Sequence, residues 1–295
     1  MIYSLLMVYL LFVLGFILLI RGAEWLIDGA STLARRLGIS ELIVGLTVVA
    51  FGTSLPELVV NLFASAESAQ LAIGNVLGSN ISNTLLILGV ASLIYPLSVK
   101  RHTVFREIVF NVGAALMLGV LVSERFLKEG GFGGLDHIDG IILMSYFLLF
   151  LHYVFGRTGI YERKQKLLKT PAKKLNLGNV MVKILLGSVG LYLGGLWIVD
   201  GAVAIATVLN VSDALIGLTI VALGTSLPEL AATVIAVRKK NVDIAVGNVV
   251  GSNLFNIFWV LGFTAFIRPI PFDQSLIVDV AVNLAIAVVL LIALV

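Results

Sequence analysis

Two nine-residue stretches control what this chain can become. Ala50-Phe51-Gly52-Thr53-Ser54-Leu55-Pro56-Glu57-Leu58 returns as Ala222-Leu223-Gly224-Thr225-Ser226-Leu227-Pro228-Glu229-Leu230, a shift of 172 residues. A second pair follows: Gly74-Asn75-Val76-Leu77-Gly78-Ser79-Asn80 returns as Gly247-Asn248-Val249-Val250-Gly251-Ser252-Asn253, shifted by 173. The chain is an internal duplication, so its fold must accommodate two copies of one unit. Each copy sets a Pro and a Glu inside a long apolar run, where a charge costs roughly 2.5 kcal/mol or more.

The surroundings of these motifs decide the class of protein. Hydrophobic residues make up 59% of the 295 positions, charged residues 13%, and the mean hydropathy is +1.08. That describes a polytopic membrane protein. With no cysteine, disulfide frameworks and thiolate metal sites are excluded. Walker loops, dinucleotide fingerprints and nucleophile triads are absent from the sequence, so an enzymatic role has no support and no cofactor is expected. His102, His137 and His152 have no counterparts in the other copy and lack metal-ligand spacing, which makes them loop or core residues.

Apolar runs predict spans near 3–26, 41–66, 71–96, 103–123 and 138–156, then 181–208, 213–237, 243–267 and 275–295. The first run lacks a basic start and a cleavage site, so it reads as a retained span. Of the 20 Lys and Arg residues, sixteen fall in alternate loops on one side, chiefly at Arg35–Arg36, Lys100–Arg106, Arg157–Lys183 and Arg238–Lys240. Arg125, Lys128 and Arg268 fall on the other, and Arg21 lies near the end of the first span. The positive-inside rule puts the sixteen in the cytoplasm and the N-terminus outside. An odd number of spans per copy then makes the copies antiparallel. The expected fold is all-α, with two inverted-topology repeats of about five helices and broken helices at the midplane. Residues 1–157 form the first repeat, 158–179 a basic cytoplasmic linker that touches anionic headgroups, and 180–295 the second repeat, without a tenth span.

Within each motif the chemistry is uniform. Pro56 has no N–H for the Gly52 carbonyl, which predicts a kink that frees backbone oxygen. Thr53 and Ser54 precede Glu57 by four and three residues, which on a continuous helix puts both hydroxyls on the carboxylate's face. Asn75, Ser79 and Asn83 are spaced by four, as are Asn248, Ser252 and Asn256. Carboxylate, hydroxyl, amide and carbonyl oxygens without sulfur or imidazole favour hard cations such as Ca²⁺ and Na⁺. Simple packing accounts for other features. The glycine pairs Gly74/Gly78 and Gly247/Gly251 suit close helix contact, and Asn75 and Asn248 suit either ligation or helix bridging. Trp25, Trp197, Asp28 and Asp200 suit helix ends at the interface, and Arg21 suits pairing with Glu24.

At these residues the sequence resembles the sodium/calcium exchanger family, within the cation/calcium exchanger superfamily; both alpha repeats are recognisable, at 50–83 and 222–256. The resemblance implies that Glu57 and Glu229 bind Ca²⁺, assisted by Thr53 and Thr225. It further implies that Ser54, Ser79, Ser226 and Ser252, with the carbonyls of Ala50 and Ala222, complete Na⁺ sites, while Asn83 and Asn256 line the centre. Many members carry Asp where this chain has Asn256, a departure that bears on stoichiometry and argues against potassium coupling. The implied activity is Na⁺/Ca²⁺ antiport by alternating access, with the first and sixth spans sliding against the rest and Ca²⁺ extruded. The implied setting is a monomer in a prokaryotic plasma membrane, without nucleic-acid partners. A Ca²⁺/H⁺ exchanger is the nearest alternative and a cation channel a more distant one.

Overall fold

The computed structural model describes residues 2–67, 69–98, 101–123, 133–158, 176–211 and 222–294. Its helices are α1 (Ile2–Leu37), α2 (Glu41–Thr53), α3 (Leu55–Glu67), α4 (Gln70–Ile94), α5 (Arg101–Val122) and α6 (His137–Tyr153) in the first copy. The second copy supplies α7 (Leu177–Val208), α8 (Ala222–Gly224), α9 (Leu227–Arg238), α10 (Val242–Ile267) and α11 (Ile277–Leu294). Among the described residues seven helices are long and apolar enough to cross a membrane, or eight when α2 and α3, bent by 42°, count as one broken span. The chain is an all-α membrane protein. Its only strands are two-residue pieces among the described residues, β1 (Gly134–Leu135) pairing antiparallel with β2 (Ile270–Pro271). The expected span 213–237 lies partly outside the described residues, as do Arg125, Lys128 and most of the basic linker.

Why the halves fit together is visible at the seam between α1 and α7, the first helix of each copy. Gly15 approaches Gly194, Gly22 approaches Gly187 and Leu191, and Gly29 approaches Ile184. As the number rises along α1 it falls along α7, so these equivalent helices are antiparallel. Without a hydrophobic force between helices in lipid, such backbone contact is a main source of cohesion. The absence of side chains is what allows it. A β-carbon placed on Gly187 would fall 2.5 Å from the Leu26 nitrogen and 2.9 Å from the Gly22 carbonyl oxygen.

A second close contact sets α10 against α2. Gly247 lies against Leu42, Gly45 and Leu46, and Gly251 against Leu46 and Ala50, as expected for this glycine pair. A β-carbon added at Gly74 or Gly78 would meet nothing within 4 Å among the described residues beyond its own stretch of helix, so close contact is not seen for the first copy. α10 is the central element: 94% of its most apolar window is buried, against 22% for those of α1 and α11. The latter two keep their apolar faces outward, as lipid contact requires.

Both long N-terminal helices outrun their apolar cores. α1 has 36 residues, about 54 Å at 1.5 Å per residue, against a hydrocarbon layer of about 30 Å. Trp25 and Asp28 therefore sit well inside α1, and Trp197 and Asp200 well inside α7, rather than at helix ends. Asp28 pairs with Lys239 at 2.6 Å, tying the end of α9 to α1, and Arg21 pairs with Glu24 at 2.9 Å. His137 Nδ1 lies 2.7 Å from the Phe266 carbonyl oxygen, where α6 meets α10. Outside the spans, the Ser275 backbone N–H and the Gln70 side chain donate to Asp273, holding its carboxyl below the usual range.

A candidate cation site between the two copies

Each signature motif breaks its helix at the serine. Ser54 has φ −91° and ψ 9°, and Ser226 has φ −88° and ψ 2°, the sparsely populated bridge region. The proline explains the position. It cannot donate to the preceding turn, but it is well tolerated in the first turn of a new helix, and both Pro56 and Pro228 sit there.

The break changes where the hydroxyls point. Ser54 does not serve Glu57, as helical spacing suggested; its hydroxyl donates to Glu229 Oε1 of the other copy at 2.9 Å. Once the helix bends between Ser54 and Glu57, the i, i+3 geometry no longer applies. The Ser252 hydroxyl lies 3.0 Å from Ser54 Oγ and 3.5 Å from Glu229 Oε1. Thr53 Oγ1 lies 3.2 Å from both the Ala50 carbonyl oxygen and Asn248 Oδ1, and 3.4 Å from Ser252 Oγ. The Ala50 carbonyl also accepts the Ser54 N–H at 2.9 Å. Asn248 donates to Thr233 at 3.0 Å, so here it bridges helices.

Deeper in the bundle, α4 and α10 each pass into a π-helical stretch, at Asn83–Ile87 and Asn256–Leu261. Such bulges often accompany functional sites. Around them four asparagines pair in a crossed pattern. Asn83 donates to Asn253 Oδ1 at 3.2 Å, and Asn256 donates to Asn80 Oδ1 at 3.1 Å. Asn253 donates in turn to Thr84 Oγ1 at 2.9 Å. Each central amide is held by its nitrogen, and its oxygen has no partner among the described residues. Asn80 and Asn253 were given no role from sequence, although they end the Gly-Asn-x-x-Gly-Ser-Asn motif; spacing does not reveal which end of an amide a neighbour will hold.

The result is a set of buried oxygens without partners among the described residues: both of Glu57, Oε2 of Glu229, the hydroxyls of Ser79 and Ser226, and Oδ1 of Asn83 and Asn256. Glu57, Glu229, Asn83 and Asn256 are fully buried, and Ser54, in the motif that carries Glu57, donates to Glu229. α8 rests on α4, which brings the Ser226 end of the second motif to the Ser79 helix. Thr225 is half-buried in the turn between α8 and α9, and Ala222 opens α8. An unmet buried acceptor costs about 1–3 kcal/mol, and an unpaired charge more. The donor set is oxygen alone, the chemistry of hard cations.

Comparison with known proteins identifies the family and the fold. The sodium/calcium exchanger MaX1 of Methanosarcina acetivorans is 34% identical across 96% of this chain and 90% of its own length. The inner membrane protein YrbG of Escherichia coli is 38% identical across 88% of this chain and 79% of its own length. The structure of the sodium-calcium exchanger NCX_Mj soaked with 2.5 mM Na⁺ and 10 mM Sr²⁺ superposes with a TM-score of 0.84, at 30% identity, over 98% of this chain and 91% of that one. The profile of sodium/calcium exchanger proteins matches residues 7–156 and 180–295. The two glycine-tight halves, the paired acids and these matches lead to one conclusion: the chain belongs to the sodium/calcium exchanger family, whose members are multi-pass cation transporters and not enzymes.

Proposed function

We propose that this protein exchanges Na⁺ for Ca²⁺ across the membrane, extruding Ca²⁺, with both ions competing for oxygens around Glu57 and Glu229. The observation that carries this reading is the set of seven buried oxygens without a partner among the described residues, three of them from carboxylates, while the amide nitrogens of Asn83 and Asn256 are held by neighbours. Two acids neutralise one Ca²⁺, and the number of oxygens lies within the six to eight that Ca²⁺ takes. Serines 54, 79, 226 and 252 with Thr53, Thr225 and the carbonyls of Ala50 and Ala222 supply neutral ligands suited to Na⁺. Competition for shared ligands enforces exchange, because only a loaded site is free to switch access. At three Na⁺ per Ca²⁺ one net charge moves per cycle, worth roughly 2.3 kcal/mol per 100 mV.

In this reading α1 and α7 slide together along the remaining bundle, the N-terminus lies outside, and the basic loops face the cytoplasm. The names of MaX1 and NCX_Mj support it. The test is uptake of ⁴⁵Ca²⁺ into proteoliposomes loaded with Na⁺: uptake is expected to follow the Na⁺ gradient. Uptake driven by a pH gradient instead would establish proton exchange, and flux without counter-ion would establish a channel.

The crossed asparagines give a second check. Asn80→Leu removes the acceptor that holds the Asn256 amide, letting the amide turn its nitrogen toward the cation. Loss of such an orienting partner is expected to weaken Ca²⁺ binding about tenfold, as read by calorimetric titration of the purified protein.

A further inference from the structure

Along α3 the polar ladder does not stop at Glu57. Asn61 and Ser65 follow at intervals of four, while the matching positions after Glu229 are Thr233 and Val237. The second copy closes this position internally, since Thr233 accepts the Asn248 amide at 3.0 Å. In the first copy the corresponding Asn75 amide makes no such bond, its Nδ2 having no partner among the described residues. Asn61 is fully buried, and its amide donates across to Thr264 of α10 at 3.2 Å. Its Oδ1 has no partner among the described residues, and neither has either oxygen of Glu57 one turn away. A buried amide oxygen left without a donor is costly. Side chains four apart on a helix stand about 5–6 Å apart at Cβ, close enough for a carboxylate and an amide oxygen to share one ion. Thr264 takes the nitrogen end of the amide and leaves the oxygen end for that ion. Ser65 ends the ladder, its hydroxyl donating to the Leu62 carbonyl at 2.9 Å.

We propose that Asn61 Oδ1 and the Glu57 carboxylate form a further Na⁺ position, one helical turn from the central cluster, with Thr264 as the residue that orients the amide. Charge selects the ion: one carboxylate with one neutral oxygen balances a monovalent cation. Because Glu57 serves both this position and the Ca²⁺ cluster, a Na⁺ held here weakens the grip on Ca²⁺, which is how an antiporter releases its cargo. The proposal rests on the Na⁺/Ca²⁺ reading above.

The test uses the full chain in detergent and in proteoliposomes, with Asn61→Leu, Asn61→Asp and Thr264→Val. Asn61→Leu is expected to raise half-saturating Na⁺ about tenfold while half-saturating Ca²⁺ measured without Na⁺ moves by less than about twofold. Asn61→Asp, which keeps the oxygen, restores Na⁺ binding, and Thr264→Val shifts it in the same direction as Asn61→Leu. Unchanged Na⁺ binding in Asn61→Leu overturns the proposal. So does a parallel loss of Na⁺ and Ca²⁺ binding with a lowered melting temperature that Asn61→Asp does not rescue, since that marks a helix bridge only. If wild-type Ca²⁺ uptake ignores the Na⁺ gradient, the antiport reading fails; equilibrium Na⁺ titration of the same variants, which needs no transport, still decides the role of Asn61.

Discussion

Glu229→Gln is expected to yield a folded protein that has lost Ca²⁺ exchange. Gln keeps the shape and can still accept from Ser54, whose hydroxyl lies 2.9 Å from Glu229 Oε1, but it removes one of the two charges facing the cation. Breaking a buried ion pair costs about 3–5 kcal/mol, so Ca²⁺ affinity is expected to fall by roughly two to four orders of magnitude. Glu57→Gln is expected to do the same. The two variants share a second signature that distinguishes ligand loss from misfolding. Among the described residues Glu57 has both oxygens and Glu229 one oxygen without a partner, so neutralising either removes a cost in the ion-free protein. Melting without Ca²⁺ should be as high as in the wild type or higher, while the stabilisation that wild type gains from Ca²⁺, about 2.7 kcal/mol at a hundredfold excess over Kd, disappears. Calcium flux and melting curves with and without Ca²⁺ measure both. Retained exchange in both variants would remove these acids from the mechanism.

Gly187→Val is expected to produce the second large effect, at the seam between α1 and α7. The added β-carbon would lie 2.5 Å from the Leu26 nitrogen, 2.8 Å from its Cα and 2.9 Å from the Gly22 carbonyl oxygen. These are backbone atoms of a packed helix, unable to rotate aside. Overpacking of this kind costs about 1–3 kcal/mol or more, and here it also wedges apart the two helices that carry the antiparallel join. The expected result is a lower melting temperature and loss of the monodisperse peak in detergent. Gly195→Ala is the control, because its β-carbon would meet Pro228 at an ordinary 3.7 Å. Equal behaviour of the two variants would show that the seam does not hold the halves together.

Much of the candidate site could be read directly. A doubled Pro-Glu motif at lipid depth has few uses, and Glu57 and Glu229 prove fully buried, as do Asn83 and Asn256 at the centre. The break in α2–α3 was expected near Pro56, and it falls at Ser54, two residues earlier. That small displacement had a large consequence. Helical spacing assigned Ser54 to Glu57, and the bend gives its hydroxyl to Glu229. The lengths of α1 and α7 were also underestimated, because hydropathy reports where lipid ends and not where a helix does. Trp25 and Asp28 consequently lie inside a helix, with Asp28 paired to Lys239.

What the amino-acid order determined alone is local or statistical: apolar runs long enough to span, a duplication detectable by identity, a proline that interrupts one helix and starts another, and an oxygen-only donor set. Each follows from composition or from contacts within a few residues. Which copy's hydroxyl meets which carboxylate, which nitrogen holds each central asparagine, and why Asn61 is left with a bare oxygen while Thr233 is not were decided only when α10 settled between α2, α3 and α4. Those pairings join residues about 170 to 200 positions apart, and two copies of one motif can be related in many ways until backbone contact at Gly22, Gly187, Gly247 and Gly251 selects one.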